Sequence, residues 1–330
     1  MISTEISKNS SKSSFSFNKN VFEKFAAFIA LILLFLIFAL ICPPFRSIGN
    51  IMTVALQTSI ISFIGIGVTF VIITGGIDLG IGSVLALTSV VTGLAMAAGY
   101  PSPLAILFGL IVGIICGLFN GFVIAQMKLP PFIATLGTMM IARGIGLYIT
   151  NAAPITVDEP FFNILGGTFK IPGFEVPIPF PVLIMILLAF VFGFILKKTR
   201  LGRYAYAIGS NEEAARLSGL NLNRTKYLLY AISGLLSAVA GIVLASRLST
   251  AQATAGVSYE LDAIASAVIG GTSLNGGVGT IMGTMIGAFI IGVLRNGLNM
   301  MGVSSFIQQI TIGGVIILAV YVDQLRNKKA

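Results

Sequence analysis

Acidic residues occur at two places in apolar sequence, and their side chains are the ones most able to bind a solute or a proton. Asp78 lies in TGGIDLGIGSVLAL, residues 74–87, where four glycines permit a non-helical backbone. A buried carboxylate is costly without a partner, so Asp78 needs one. Two interpretations stay open: a carboxylate that stabilises the start of the next helix, or a ligand for a solute or a proton.

The second group lies in SYELDAIASAVIGGTSLNGG, residues 258–277. Glu260 and Asp262 precede an apolar stretch, which suits the N-terminal end of a helix, and two Gly-Gly pairs interrupt the helix after it. Lys does not follow these glycines in a Gly-Lys-Ser/Thr arrangement, so they do not indicate a phosphate-binding loop. Any ATP-derived energy must therefore come from a partner.

The composition excludes most catalytic chemistry and indicates a membrane protein. The 330 residues contain no His and only two Cys, Cys42 and Cys116, which removes His-based acid–base catalysis, Cys/His zinc sites and a disulfide framework. The acids are too scattered for a Mg²⁺-dependent enzyme acting on lipids. With 56% hydrophobic residues, 9% charged residues and a mean hydropathy of +1.00, the chain is predicted to be an all-α polytopic membrane protein.

Apolar runs long enough to cross the hydrocarbon core predict about ten transmembrane helices. The predicted spans are residues 25–42, 52–74, 83–99, 104–126, 132–150, 179–196, 227–246, 261–275, 280–297 and 306–323. With both termini cytoplasmic, 15 of the 20 basic residues fall on the cytoplasmic side, as the positive-inside rule requires. The net charge of +9 thus reflects topology, and no nucleic-acid partner is expected.

The predicted organisation has three parts. Residues 1–24 form a disordered cytoplasmic N-terminus, and residues 25–326 form the transmembrane domain. Within that domain, a first half (about 52–150) and a second half (about 227–323) flank the cytoplasmic loop 197–226. The segment 151–178 is the longest non-cytoplasmic connection and is expected to form an external lip.

A repeated pattern predicts that the halves are related by inversion. LFNGFVIAQMKLPPFI (residues 118–133) and LRNGLNMMGVSSFI (residues 294–307) share Leu-x-Asn-Gly followed by Phe-Ile. Five predicted spans separate the copies, and an odd number turns the second copy upside down. Because transporters place solute paths between inverted repeats, Asn120, Phe132, Asn296 and Phe306 join Asp78 as candidate pathway residues.

The cytoplasmic loop 197–226 contains helix signals. Ser210-Asn-Glu-Glu213 has the pattern of a capping box, and Gly219 suits the left-handed position after a helix. These signals predict a helix of about two turns from Asn211 to Ser218. It is either a docking element for a cytoplasmic motor or a connector resting on anionic lipid.

This loop also carries a family resemblance. Glu213-Ala-Ala-x-x-x-Gly219 is similar to the EAA-x₃-G coupling motif of ABC importer permeases. GRYAYAIGSNEEAARLSGLN, GGIDLGIGSVLAL, LPPFIATLGTMMIARG and YELDAIASAVIGGTSLNGG resemble ribose-type sugar permeases. The resemblance extends over about residues 50–325.

The resemblance implies a subunit of a bacterial monosaccharide importer in the cytoplasmic (inner) membrane. Its fold would be the type II, vitamin-B12-permease-like arrangement with inverted five-helix repeats. Its partners would be an ATPase with tandem nucleotide-binding domains, a periplasmic or lipid-anchored sugar-binding protein, a second permease copy, the sugar and membrane lipid. No cofactor is implied. The residues that match the coupling motif are Asn211, Glu212, Glu213, Arg216 and Gly219.

One alternative function stays open. A cation-coupled secondary sugar transporter would use Asp78 or Asp262 as the carrier carboxylate and would need no motor. The loop helix would then have no purpose in transport.

Overall fold

The computed structural model describes residues 19–170, 172–173 and 176–327, and this part of the chain is mainly helical. Its α-helices are α1 Lys19–Ile41, α2 Ile48–Ile73, α3 Ile81–Ala97, α4 Ser102–Ala125, α5 Pro131–Thr150, α6 Pro160–Gly166, α7 Phe180–Lys198, α8 Arg200–Ser210, α9 Glu212–Leu217, α10 Leu222–Leu248, α11 Tyr259–Ile269, α12 Ile281–Met300 and α13 Ser305–Asn327. Four two-residue strands form two antiparallel pairs: β1 Ile155–Thr156 with β4 Thr250–Ala251, and β2 Thr168–Phe169 with β3 Ile178–Pro179. The predicted helical class is confirmed.

Each predicted span overlaps one of these helices, and six helices are long and apolar enough to cross a membrane. They are α2, α4, α5, α7, α10 and α12. Helix α11 ends at Ile269, so the predicted span 261–275 extends too far. The chain turns there because Gly271 adopts φ +90°, which ends the helix. Residues 1–18 of the predicted disordered N-terminus lie outside the described part, and α1 already begins at Lys19.

Helix ends follow local signals in the sequence. Prolines at the first or second position start α4, α5 and α7, where a missing N–H costs nothing. The Thr280 hydroxyl accepts a hydrogen bond from Gly283 N at 3.0 Å and caps α12. Asn151 and Ser249 end α5 and α10 in the left-handed conformation, with φ of 50° and 51°.

Helix α2 forms the centre of the bundle. Of the 18 consecutive residues that are most apolar in each helix, 89% are buried in α2, against 28% in α4, 28% in α5 and 22% in α7. It packs against α7, α10, α11 and α12. A helix that is apolar all round belongs inside, whereas the exposed apolar faces of α4, α5 and α7 are suited to lipid or to a protein partner.

Glycines allow α4 and α10 to approach closely. A Cβ at Gly113 would overlap the Gly234 carbonyl oxygen, and one at Gly117 would overlap the Tyr230 carbonyl oxygen. Small residues at such a crossing bring the backbones into contact, as is common between membrane helices. This close contact holds α4 and α10 together, and both helices carry polar residues of the site described next.

Candidate functional site

The exposed helix α9 is the local structure predicted in the loop 197–226. Asn211 caps it, with its side chain accepting from Ala214 N at 2.9 Å. The prediction that Ser210 is the cap is wrong, because α8 continues through Ser210 and Asn211 is the first residue with an extended backbone. Gly219 has φ +81°, so the predicted left-handed position is confirmed.

The C-terminal end of α9 is a Schellman motif. Gly219 N donates to Arg216 O at 3.0 Å, and Leu220 N donates to Ala215 O at 3.2 Å. A Cβ at Gly219 would meet nothing within 4 Å, so glycine is required here by the backbone conformation and not by lack of space. The motif gives this short helix a defined end.

Ion pairs hold the acidic residues of α9. Glu212 accepts from Lys226 of α10 at 2.6 Å, and Glu213 accepts from Arg216 Nε at 3.1 Å. The second pair also raises the pKa of the exposed Arg216 guanidinium, mainly through the hydrogen bond to Glu213. Ala215 is buried, whereas its neighbours on α9 are exposed. Helix α9 is thus fixed to the bundle on one side and open to a partner on the other.

Helix α8 connects α9 to the interior of the bundle. The Tyr206 hydroxyl donates to Gly279 O at 2.7 Å, just before α12. Gly277 N donates to Ile73 O, the last residue of α2, at 2.8 Å, and Gly209 lies against both of these residues. Helix α8 is not among the elements predicted from the sequence, although Gly202, Ala205 and Ile208 repeat at helical spacing and are buried.

Asp78 is buried at the junction between α2 and α3. Its Oδ1 accepts from Gly80 N at 3.0 Å, and its Oδ2 accepts from the Ser233 hydroxyl of α10 at 2.8 Å. Gly80, not Asp78, is the N-cap residue of α3. The carboxylate therefore closes the turn before the helix and connects it to α10, which favours the structural interpretation.

Asn120 of α4 belongs to the same polar cluster. Its Oδ1 accepts from the Thr138 hydroxyl of α5 at 2.5 Å. A Cβ added to Gly80 would lie 3.3 Å from Asp78 Oδ1 and 3.6 Å from Asn120 Nδ2, so both side chains border Gly80. The structure thus brings together two of the five candidate pathway residues.

The other three candidates lie elsewhere. Asn296 of α12 is buried, and its Oδ1 accepts from Asn50 Nδ2 at 3.0 Å, at the opposite end of α2 from Asp78. Phe132 and Phe306 are 47% and 76% exposed, on helix faces that other described residues leave open. They do not contribute to either buried polar cluster.

The acidic residues Glu260 and Asp262 occupy the first turn of α11, as predicted, but Asp262 also has a partner that the sequence does not predict. Arg295 Nη2 of α12 lies 2.9 Å from Asp262 Oδ2. Arg295 lies within the predicted span 280–297, where a cation needs a counter-ion or access to solvent. Which carboxylate supplies it depends on helix packing that sequence spacing does not reveal.

The segment 151–178, predicted to lie outside and called the outer lip here, packs onto the bundle through its described residues. Strand β1 pairs with β4, and Glu159 caps α6 by accepting from Phe162 N at 2.7 Å. Glu159 also accepts a hydrogen bond from Ser102, and this bond, ahead of the helix cap, lowers the pKa of the carboxyl. The hydrogen bond from Ser102 to Glu159 therefore connects the lip to the start of α4.

Apolar helices around buried polar clusters, with an exposed helix attached to the bundle, define a multi-pass membrane protein of the permease class. The chain belongs to the family described as branched-chain amino acid transport system/permease component, whose model matches residues 50–320.

Relatives with high identity support this assignment. The chain is 46% identical to the Ribose import permease protein RbsC of Haemophilus influenzae, over 92% of this chain and 94% of the relative. It is 45% identical to the RbsC protein of Escherichia coli, over 91% and 92%. It is 35% identical to the Xylose transport system permease protein XylH of Escherichia coli, over 96% and 94%. The predicted membership of the ribose-type permease group is confirmed. We found no solved structure that matches the chain.

Proposed function

We propose that the chain is the membrane-spanning permease subunit of a bacterial ATP-driven importer for a ribose-like monosaccharide. The observation that carries the proposal is α9. The residues that match the coupling motif form a capped, exposed helix, and α8 connects it to the ends of α2 and α12. The high identity to permeases named for ribose import supports the choice of substrate class.

The proposed topology has about ten crossings, both termini in the cytoplasm and two inverted five-helix repeats, in the type II arrangement. Helix pairing supports the repeat: α4 packs on α3 of its own half and on α10 of the other half, as α12 packs on α11 of its own half and on α2 of the other. Asn120 and Asn296 lie near opposite ends of α2, as inversion predicts. Helix α11, with 11 residues, would cross together with the glycine-rich segment that follows it.

The proposed partners act at opposite faces. An ATPase with tandem nucleotide-binding domains docks on α9, and ATP-driven closure moves α8 against α2 and α12. A periplasmic or lipid-anchored sugar-binding protein docks over the outer lip. A second permease copy completes the pathway in the inner membrane, against exposed apolar helix faces.

The pathway residues remain part of the proposal. Asp78 and Asn120 would act at the cytoplasmic end and Asn296 at the outer end, and Phe132 and Phe306 would face the second copy. A pathway needs weak sites so that the sugar can leave, and short polar side chains provide such sites.

Reconstitution tests this function against the cation-coupled alternative. Proteoliposomes containing the permease, its ATPase and its binding protein should take up radiolabelled ribose only with ATP. Vesicles with the permease alone and an imposed proton or sodium gradient should take up none. Gradient-driven uptake without the ATPase would overturn the proposal.

A further inference from the structure

A polar cavity of about 310 Å³ lies between α2, α11, α12 and α13, at the end of the bundle that carries the outer lip. Four side-chain amides, one threonine hydroxyl, Tyr259 and two guanidinium groups line it, together with apolar residues. It reaches Thr58, which follows the first residue of α2 by ten residues, or about 15 Å of helix.

Several polar groups of this cavity have no partner among the described residues. Thr58 is 1% exposed, and its Oγ1 is buried without a hydrogen bond. Asn296 uses its carbonyl oxygen to accept from Asn50, which leaves its amide nitrogen without a partner in this part of the chain. Arg295 uses Nη2 for Asp262, which leaves Nε and Nη1 available. Buried polar groups are nearly always paired, so the hydroxyl of Thr58 and the amide of Asn296, both in buried residues, indicate a ligand, and the partly exposed Arg295 has donors to offer it.

The chemistry of the lining favours a neutral ligand with several hydroxyl groups. Amides and hydroxyls can both donate and accept, as sugar hydroxyls do. Of the two lining guanidinium groups, Arg295 is balanced by Asp262, so only Arg247 adds a positive charge to a lining that is otherwise neutral. Tyr259 adds an aromatic surface. The volume lies at the small end of the usual range for ligand pockets, about 300–1,000 Å³.

We propose that this cavity is a low-affinity binding site for a monosaccharide that enters from the outer face. The site lies within one subunit and holds the sugar after the binding protein releases it. This inference rests on the proposed transport function and adds the residues that first receive the substrate.

Removing one buried hydroxyl tests the site. Thr58→Val keeps the shape of the side chain and deletes Oγ1, so we expect a roughly three- to tenfold lower maximal rate of ATP-driven ribose uptake, as loss of about one hydrogen bond implies. Ser62→Ala is the matched control, because Ser62 Oγ is also buried and unpartnered on α2 but does not line the cavity.

Packing alone gives a different result. If Thr58 Oγ1 is only an unsatisfied hydroxyl in the core and contacts no ligand, Thr58→Val stabilises the permease and leaves uptake unchanged. Ser62→Ala then has the same two effects. Equal behaviour of the two variants would overturn the proposal. Thermal melting of the purified permease verifies that both variants fold.

Labelling of a single cysteine tests occupancy directly. Asn299 lines the cavity and is exposed, so Asn299→Cys, without Cys42 and Cys116, should react with a small membrane-impermeant thiol reagent. Millimolar ribose should slow this reaction at least threefold and leave Tyr100→Cys, at the outer turn before α4, unaffected.

The outcomes separate this inference from the transport function. Protection by ribose supports the site. Protection by inorganic phosphate and not by ribose overturns it in favour of an anion site formed with Arg247. If ribose gives no protection while the complete importer still takes up ribose, the cavity proposal fails alone; if ATP-driven uptake is also absent, the transport function fails with it.

Discussion

Asp262 and Arg295 form an ion pair that joins α11 to α12, with Arg295 Nη2 2.9 Å from Asp262 Oδ2. The carboxylate side chain is 5% exposed and the guanidinium side chain is 41% exposed. The pair therefore holds α11, the shortest helix at a predicted span, against the longer helix α12. The buried carboxylate needs the pair more than the guanidinium does, because solvent can reach the guanidinium.

Arg295→Met should destabilise the permease more than Asp262→Asn. The first variant leaves a buried carboxylate without its cation, and the second leaves a cation that solvent can reach. Breaking a fully buried pair costs about 3–5 kcal/mol, and partial exposure of Arg295 reduces this to roughly 1–3 kcal/mol. Thermal melting in detergent measures the difference. Equal melting temperatures for the two variants would contradict it.

Ser233→Ala should destabilise the cluster around Asp78 by about 1.5–3 kcal/mol, because the buried carboxylate loses a hydrogen bond to a charged group. Ser237→Ala is the control, since the hydroxyl of Ser237 only donates to the Ser233 carbonyl within the same helix. Thermal melting compares the two variants. A loss of stability in the control as large as in Ser233→Ala would refute the assignment.

Gly219→Ala should weaken association with the ATPase. A side chain in the left-handed region costs about 1–2 kcal/mol, so the end of α9 should shift to relieve the strain. Gly99→Ala imposes the same strain at an outer turn, where φ is +87° and no neighbour lies within 4 Å. Co-purification with the tagged ATPase should fall for the first variant only.

Gly209→Ala should uncouple ATP hydrolysis from uptake. The added Cβ would overlap the Ile73 carbonyl oxygen and force α8 away from the end of α2. ATPase binding through α9 should persist while transport falls at least tenfold. Gly144→Ala, in open space on α5, should leave both unchanged. Normal uptake by Gly209→Ala would show that force does not pass through this contact.

Lowering the pH should release the outer lip from its contact with the start of α4. Glu159 has a lowered pKa in the folded protein, so its contribution to stability is complete above the pKa of the unfolded chain and is lost as pH falls through the lowered value. The chain has no Trp, so Phe161→Trp provides a single fluorescent reporter beside Glu159. Its fluorescence should change at acidic pH, and Ser102→Ala should move the midpoint to higher pH. A midpoint unaffected by Ser102→Ala would exclude the hydrogen bond as the cause.

The sequence predicts the helices well and the side-chain partners poorly. Apolar runs locate every long helix because local composition determines them. The end of α9 is predictable because glycine alone favours the backbone at Gly219. Its start is not, since Ser210 and Asn211 are both good caps and the choice depends on where α8 ends. Polar partners such as Ser233 and Thr138 look like ordinary residues of apolar helices until packing brings them to Asp78 and Asn120.

One backbone hydrogen bond, Gly277 N to Ile73 O, has a mechanical consequence. If the ATPase moves α8 as proposed, this bond and the contact of Gly209 with Ile73 would transmit the movement to one end of α2. The opposite end, Ile48, lies 25 residues away, about 38 Å of helix. Over that length, a tilt of α2 by about 5° around the end at Ile73 displaces its other end, beyond Thr58, by about 3 Å.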